Sequence, residues 1–319
     1  MVIIIGSGPI GLATAIELKR KGIESLIIER GCLVNSIYNY PINMTFFSTS
    51  DRLEIGNIPF ISHGPKPTRK EALEYYRRAA EHYKLNIKLY EEVTAVEGSD
   101  GDFRVTTTKS SYTGSKIVLA TGFYGQENRM DVPGEDLPKV LHYYDEPHRY
   151  AWQNVLVVGG GNSAVDAALE TYRCSANVSI LVKYSELKPS VKYWVKPDIE
   201  NRIREGSITG YFNSRVLEIR ENAVDIETPD GKKTLENDFV LAMTGYHPHF
   251  GLMKKLGIEV TKDESRMPVY DDETLETNRK GLYVAGVVCG GMDTSRLFIE
   301  NTRVHAEHIA TDIEKKLKP

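Results

Sequence analysis

Two β-branched runs, each passing straight into a glycine-rich turn that opens a helical pattern, predict an α/β chain with two Rossmann-like dinucleotide-binding domains. The first run is Val2-Ile3-Ile4-Ile5, followed by Gly6-Ser7-Gly8-Pro9-Ile10-Gly11. The second is Val155-Leu156-Val157-Val158, followed by Gly159-Gly160-Gly161-Asn162-Ser163-Ala164. A third observation is the pair of matching strand exits, Ala120-Thr121-Gly122 and Met243-Thr244-Gly245. In each exit a buried strand ends in a small hydroxyl residue and a glycine, where backbone can lie against a bound molecule. Glycine at such turns lets the backbone approach a pyrophosphate. The helix N-terminus then offers unpaired N–H groups and the positive end of its dipole. Two turns imply two nucleotides, and so electron transfer between two cofactors.

The elements follow in order. Residues 12–21 read as a helix closed by Gly22, and 25–28 as a strand ending at Glu29. Glu29 lies 18 residues after Gly11, near the spacing of an acid that accepts hydrogen bonds from an unphosphorylated ribose. Residues 35–67 are rich in Asn, Ser, Thr, Pro and aromatics without periodicity, which marks a functional loop. A helix over 69–83 carries Leu73, Tyr76, Ala80 and Tyr83 near one stripe, and strands follow at 92–97, 103–107 and 115–119. Val132-Pro133-Gly134 reads as a turn in the crossover. The second nucleotide unit spans roughly 154–242, with a helix over 164–172, a strand over 178–182 and a closing strand at 238–243. Lys183 stands 19 residues after Ala164, where Glu29 stands in the first unit, and Lys188 lies just beyond. Cations there suit a 2′-phosphate and favour NADPH over NADH. The remainder holds Gly281-Leu282-Tyr283-Val284-Ala285-Gly286 and a closing helix over 298–316. The domain order is then 1–122, an inserted 123–244, and a return over 245–319.

Composition narrows the class. The 319 residues are 41% apolar and 26% charged, as in ordinary globular proteins, and the net charge of −4 gives no reason to expect nucleic acid or an anionic membrane as partner. No apolar run approaches the roughly 20 residues of a membrane span, and no leader is expected ahead of the strand at Val2. Cys32, Cys174 and Cys289 are far apart. Such a sparse, odd set speaks for a reducing, cytoplasmic compartment and against a disulfide framework or a metal cluster.

Over essentially its whole length the chain resembles the two-dinucleotide-binding flavoproteins of the thioredoxin-reductase-like branch, through GSGPIG, the ATG at 120–122, GGGNSA, the TGY at 244–246 and GLYVAG at 281–286. That resemblance implies FAD on the first turn, NADPH on the second and a homo-oligomer, a dimer or tetramer. It also exposes a departure. The stretch where the branch carries a redox-active CxxC is here His142-Tyr143-Tyr144-Asp145-Glu146-Pro147-His148, so a dithiol relay within the chain is excluded. Within the branch the chain is most similar to the bacillithiol-disulfide reductase (bacilliredoxin reductase) family, which also lacks CxxC. The matching segments are Ser36-Ile37-Tyr38-Asn39-Tyr40-Pro41, Thr45-Phe46-Phe47-Ser48-Thr49-Ser50-Asp51, Lys192-Tyr193-Trp194-Val195-Lys196-Pro197-Asp198, and Phe298-Ile299-Glu300-Asn301 with His305. Members often carry a cysteine in the first glycine motif, proposed to attack the disulfide; this chain has Ile10 there.

The resemblance implies an FAD site of Gly6, Gly8, Pro9, Ile10, Gly11, Glu29, Arg30, Tyr38, Thr45, Val93, Ala120, Thr121, Gly122 and Gly286. It implies an NADPH site of Gly159, Gly161, Asn162, Ser163, Ala164, Lys183, Lys188, Thr244, Gly245 and Tyr246. Chemistry is expected at the flavin itself. Cys289 and His305 are the side chains with a route to it: Cys289 as a thiol, His305 as a hydrogen-bond partner of the flavin or a proton donor near neutral pH. Hydride then passes from NADPH through flavin to an external acceptor, a small-molecule disulfide or a small redox protein. Three other readings compete. A ferredoxin–NADP reductase of this type also lacks CxxC but usually carries an extra C-terminal helix. A flavin monooxygenase would carry FxGxxxH, whereas Phe123-Tyr124-Gly125 is followed by Arg129 in the histidine's place. A non-enzymatic NADPH sensor would reduce its flavin without a fast acceptor.

Overall fold

The structure is a computed structural model and describes residues 1–318. It divides into two compact units, one of residues 1–39, 44–126 and 246 onward, the other of residues 40–43 and 127–245. The sequence places the junctions at 122/123 and 244/245. Residues 123–126 stay with the first unit because Arg30 donates to the Gly125 carbonyl at 3.1 Å and the His247 N–H donates to the Gln126 carbonyl at 2.9 Å.

The first unit is built on a five-stranded parallel sheet in the spatial order Leu282–Val284, Lys116–Leu119, Val2–Ile5, Ser25–Ile28, Ile87–Lys88. Val2–Ile5 is buried along its whole length, which is why it reads as a continuous apolar run rather than an alternating one. Ile5 pairs with Ile28 on one side and Leu119 on the other, so Gly6 leaves the sheet beside Glu29 and Ala120. A three-stranded antiparallel sheet of Val93–Ser99, Asp102–Thr107 and Ser111–Gly114 shares one core with Ile3, Ile5, Leu26 and Ile28. Helix Pro9–Arg20 packs against helix His305–Leu317.

Two features of this unit differ from the sequence reading. The closing helix is two helices, Ile299–Thr302 and His305–Leu317. Between them Arg303 donates to the carbonyls of Asp51 (2.9 Å) and Glu54 (3.3 Å), and the N–H groups of Ala306 and Glu307 reach back only three residues. The ladder is interrupted there. The aperiodic segment 35–67 holds a short helix, Asn35–Tyr38, and a 3-10 turn, Ser50–Leu53. Tyrosines from helix Arg69–His82 and its C-cap fasten that segment. Tyr75 donates to the Ile58 carbonyl at 2.8 Å, Tyr76 to Leu53 at 3.0 Å and Tyr83 to Gly56 at 2.7 Å.

The second unit repeats the plan with a five-stranded parallel sheet in the order Thr209–Tyr211, Asn177–Leu181, Asn154–Val158, Phe239–Ala242, Val140–Leu141. Val158 pairs with Leu181 and Ala242, so Gly159 leaves the sheet between those two strand ends. Helix Lys196–Arg204 and an antiparallel sheet of Arg215–Arg220, Ala223–Thr228 and Gly231–Glu236 complete it. Among the described residues no helix is long and apolar enough to cross a membrane.

Candidate cofactor sites

The first turn is shaped by close backbone approach. A Cβ on Gly6, whose φ is +108°, would lie 2.5 Å from the Ala120 carbonyl oxygen, and one on Gly11 would lie 2.1 Å from that of Gly6. Glycine is obligatory at both. Gly8 faces open space, where a phosphate can approach. It caps helix Pro9–Arg20 from an extended conformation, with Pro9 at the helix start and no side chain on the free N–H groups. Glu29 is nearly buried and fixed at the turn. Its carboxylate accepts the Ser7 N–H at 2.8 Å, the Ser7 hydroxyl at 3.2 Å and the Gly31 N–H at 2.9 Å. A carboxylate offers about four acceptor positions, so capacity is left for a ribose hydroxyl.

Beside the turn lies a cavity of about 280 Å³, near the lower end of the range for small-molecule sites. Six of the expected FAD residues line it: Gly6, Glu29, Arg30, Val93, Thr121 and Gly122. The residues present fit a nucleotide at this turn. The cavity's far wall was not read from the sequence and comes from His247, His249, Leu252 and Lys255. His249 Nδ1 accepts the Leu252 N–H at 3.0 Å and so caps helix Phe250–Lys255; burial lowers its pKa. The signal available was His247-Pro248-His249 directly after the second strand exit.

Other expected FAD residues lie elsewhere. Tyr38 is exposed, with the Arg69 guanidinium 5.4 Å over its ring and donating to its carbonyl, and Thr45 is exposed in a bridge to Thr68. Neither lines the cavity. Ile10 and Gly286 meet each other instead: a Cβ on Gly286 would lie 3.0 Å from the Ile10 side chain.

The second turn has the same construction. A Cβ on Gly159, at φ +142°, would lie 2.3 Å from the Met243 carbonyl oxygen, and Gly161 caps helix Asn162–Arg173 with no side chain on its free N–H groups. Ser163 is exposed and Ala164 buried in the first turn of that helix. The Thr244 hydroxyl donates to the Asn128 carbonyl at 2.5 Å, and the Asn128 N–H donates to the Gly245 carbonyl at 2.9 Å. Lys183 and Lys188 are exposed. Asn162 turns its amide to the loop that carries Lys188. Tyr246 lies in the first unit, buried with its ring 4.3 Å from that of Tyr124.

The model of the pyridine nucleotide-disulphide oxidoreductases matches residues 3–286. The bacilliredoxin reductase of Bacillus subtilis is 45% identical over 98% of this chain and 97% of its own length. The chain belongs to the pyridine nucleotide-disulphide oxidoreductases, in the branch of the bacilliredoxin reductases. Two solved structures agree. The bacillithiol disulfide reductase of Staphylococcus aureus superposes with a TM-score of 0.96 at 45% identity, covering 99% of this chain and 98% of that one. That of Bacillus cereus gives 0.97 at 43% identity, covering 99% of each. The chain is therefore an oxidoreductase, and the expected pair of FAD and NADPH stands with its family.

Against that family the thiol positions of this chain are informative. In the first glycine motif Ile10 is buried, and its side chain lies 3.0 Å from where a Cβ on Gly286 would stand. Cys289 is fully buried, and burial pushes its thiol pKa well up, away from the reactive thiolate. Cys32 is half-buried and shifted the same way by burial and by Glu29. The thiol role expected for Cys289 is thus not supported. His305 lies beside it, with Nδ1 accepting the Gly286 N–H at 3.2 Å and standing 3.9 Å from the Cys289 sulfur. Burial, with His308 adding to it, lowers the His305 pKa to about 4. This shift favours the neutral ring near pH 7, and so favours hydrogen bonding over proton donation among the roles expected of it.

Proposed function

We propose that the chain is an FAD-dependent, NADPH-consuming reductase of a low-molecular-weight disulfide, bacillithiol disulfide, and that it works without a cysteine relay. The observation that carries this is full-length likeness to a bacilliredoxin reductase and to bacillithiol disulfide reductases in a chain with no CxxC. FAD would accept hydride from NADPH and pass two electrons to the disulfide, so that NADPH, a proton and RSSR give NADP⁺ and two RSH.

The chain's own residues bind and position. In the first unit Gly6, Gly8 and Gly11 bring backbone to the pyrophosphate of FAD, and Glu29 accepts from its ribose. In the second, Gly159, Gly161 and the start of the helix at Asn162 take the pyrophosphate of NADPH. Lys183 meets the 2′-phosphate, and Lys188 is a second cation on the nucleotide. His305 keeps Gly286 in place through the neutral ring and presents Nε2–H as a donor. The protein acts in the cytoplasm, which its three free cysteines support, and as a homo-oligomer, as the family resemblance implies.

The test is anaerobic. Holoprotein reduced with NADPH is mixed with bacillithiol disulfide, with ferredoxin, or with oxygen, and flavin absorbance is followed. Reoxidation fastest with the disulfide is expected. Faster reoxidation by ferredoxin would make the chain a ferredoxin–NADP reductase, and by oxygen a monooxygenase-type flavoprotein.

A further inference from the structure

We infer that Asn162 is a positioning residue that holds Lys188 over the second glycine turn, where Lys188 meets the pyrophosphate of the nicotinamide nucleotide. This rests on the NADPH reading of that turn. Both ends of the Asn162 amide are committed to one loop. Its Nδ2 donates to the Ser190 carbonyl at 3.0 Å, and its Oδ1 accepts the Lys192 N–H at 2.9 Å. The same loop is tied to the turn at its other end, where the Lys188 N–H donates to the Gly160 carbonyl at 2.8 Å. The Lys192 ammonium closes on Asp166, one helical turn beyond Asn162, at 2.7 Å. Buried Leu187 and Val191 anchor the loop on its inner side.

The consequence is a fixed path for one cation. The Lys188 stem runs 3.8 Å from where a Cβ on Gly161 would stand, so it lies over the glycine that caps the helix. A pyrophosphate belongs at that helix start. Lys183 is held differently. It follows Val182, whose N–H donates to the Tyr211 carbonyl at 2.8 Å and whose carbonyl accepts the Ser214 N–H at 3.2 Å. The sheet sets Lys183; the turn and the Asn162 clip set Lys188. An ammonium on an immobilised backbone loses less freedom when the nucleotide arrives. The two lysines therefore divide the work. Lys188 acts on the pyrophosphate that NADPH and NADH share, and Lys183 reads the 2′-phosphate that only NADPH carries.

The test is a double-mutant cycle on the dissociation constants of NADP⁺ and NAD⁺, measured by calorimetry on the FAD-loaded protein. Asn162→Ala should weaken both nucleotides by about fivefold, the size of one net hydrogen bond, without changing their ratio. In a Lys188→Ala background the same change should have no effect; in a Lys183→Ala background it should keep its full effect. Should Asn162→Ala fail to fold, Asp166→Asn, which frees the far end of the loop, should show the same dependence on Lys188. Unchanged affinity, an effect that persists without Lys188, or a loss confined to NADP⁺ would overturn the inference. Equal wild-type affinity for NADP⁺ and NAD⁺ would instead overturn the NADPH preference and leave the Asn162–Lys188 coupling to be judged by its own cycle.

Discussion

His305 accepts the backbone N–H of Gly286 through Nδ1 at 3.2 Å, and this bond requires that nitrogen to be unprotonated. Burial lowers the pKa from 6.5 to about 4, so the unfolded chain takes up the proton at higher pH than the folded one. The unfolded state binds more protons between those values, and stability falls as pH drops from about 6.5 to about 4. His305→Asn, which keeps an acceptor and cannot titrate, should flatten that loss by about 1–2 kcal/mol after allowance for partial exposure. Thermal unfolding of both proteins across this range checks it. Parallel pH profiles would show that the ring does not titrate as described.

Gly286 also faces Ile10, and a methyl group there is costly. At φ +83° the position disfavours any L side chain, and the added carbon would stand 3.0 Å from Ile10. Gly286→Ala should cost about 2 kcal/mol. Combining it with Ile10→Ala removes the Ile10 Cγ atoms but leaves the Ile10 Cβ 3.1 Å from the added carbon, and it leaves the backbone strain, so the double variant should be only slightly less destabilised than the sum. Chemical denaturation of the four proteins measures the coupling.

Removing Glu29 acts on ligand and turn together. Glu29→Ala should raise the FAD dissociation constant about 10- to 100-fold, because a charge-assisted hydrogen bond is lost and the buried Ser7 N–H loses its partner. Glu29→Gln, which keeps a neutral acceptor, should be milder. Fluorescence titration of the deflavinated protein reads both, and unchanged affinity in the alanine variant would disprove the ribose assignment.

At the second turn Lys183→Glu should raise the KM for NADPH by about 10- to 100-fold and leave that for NADH unchanged or lower. Steady-state kinetics with each nucleotide decide the point.

How far the sequence reached follows from local physics. Val2–Ile5 and Asn154–Val158 were legible because strands buried on both faces leave uninterrupted apolar runs, and the glycines after them are demanded because a Cβ at Gly6 or Gly159 would stand under 3 Å from a backbone carbonyl oxygen. The antiparallel sheet over 215–236 was not, since Gly231–Glu236 is almost wholly exposed and carries charge instead of alternation. The segment 35–67 resisted reading because distant tyrosines and Arg303 hold it, which no local pattern encodes. The same holds for the cavity wall at His247 and His249, which enters from the return segment far along the chain. The reactivity of Cys289 was equally out of reach, because it depends on burial in a core assembled from residues 3 to 297.

In the proposed reaction a disulfide is reduced with no thiol of this chain taking part. A variant carrying Cys32→Ser, Cys174→Ser and Cys289→Ala decides this, in anaerobic turnover with NADPH and bacillithiol disulfide. A rate within about threefold of wild type is expected, since the one fully buried thiol is held far from ionisation. Loss of turnover while NADPH still bleaches the flavin at the wild-type rate would contradict it.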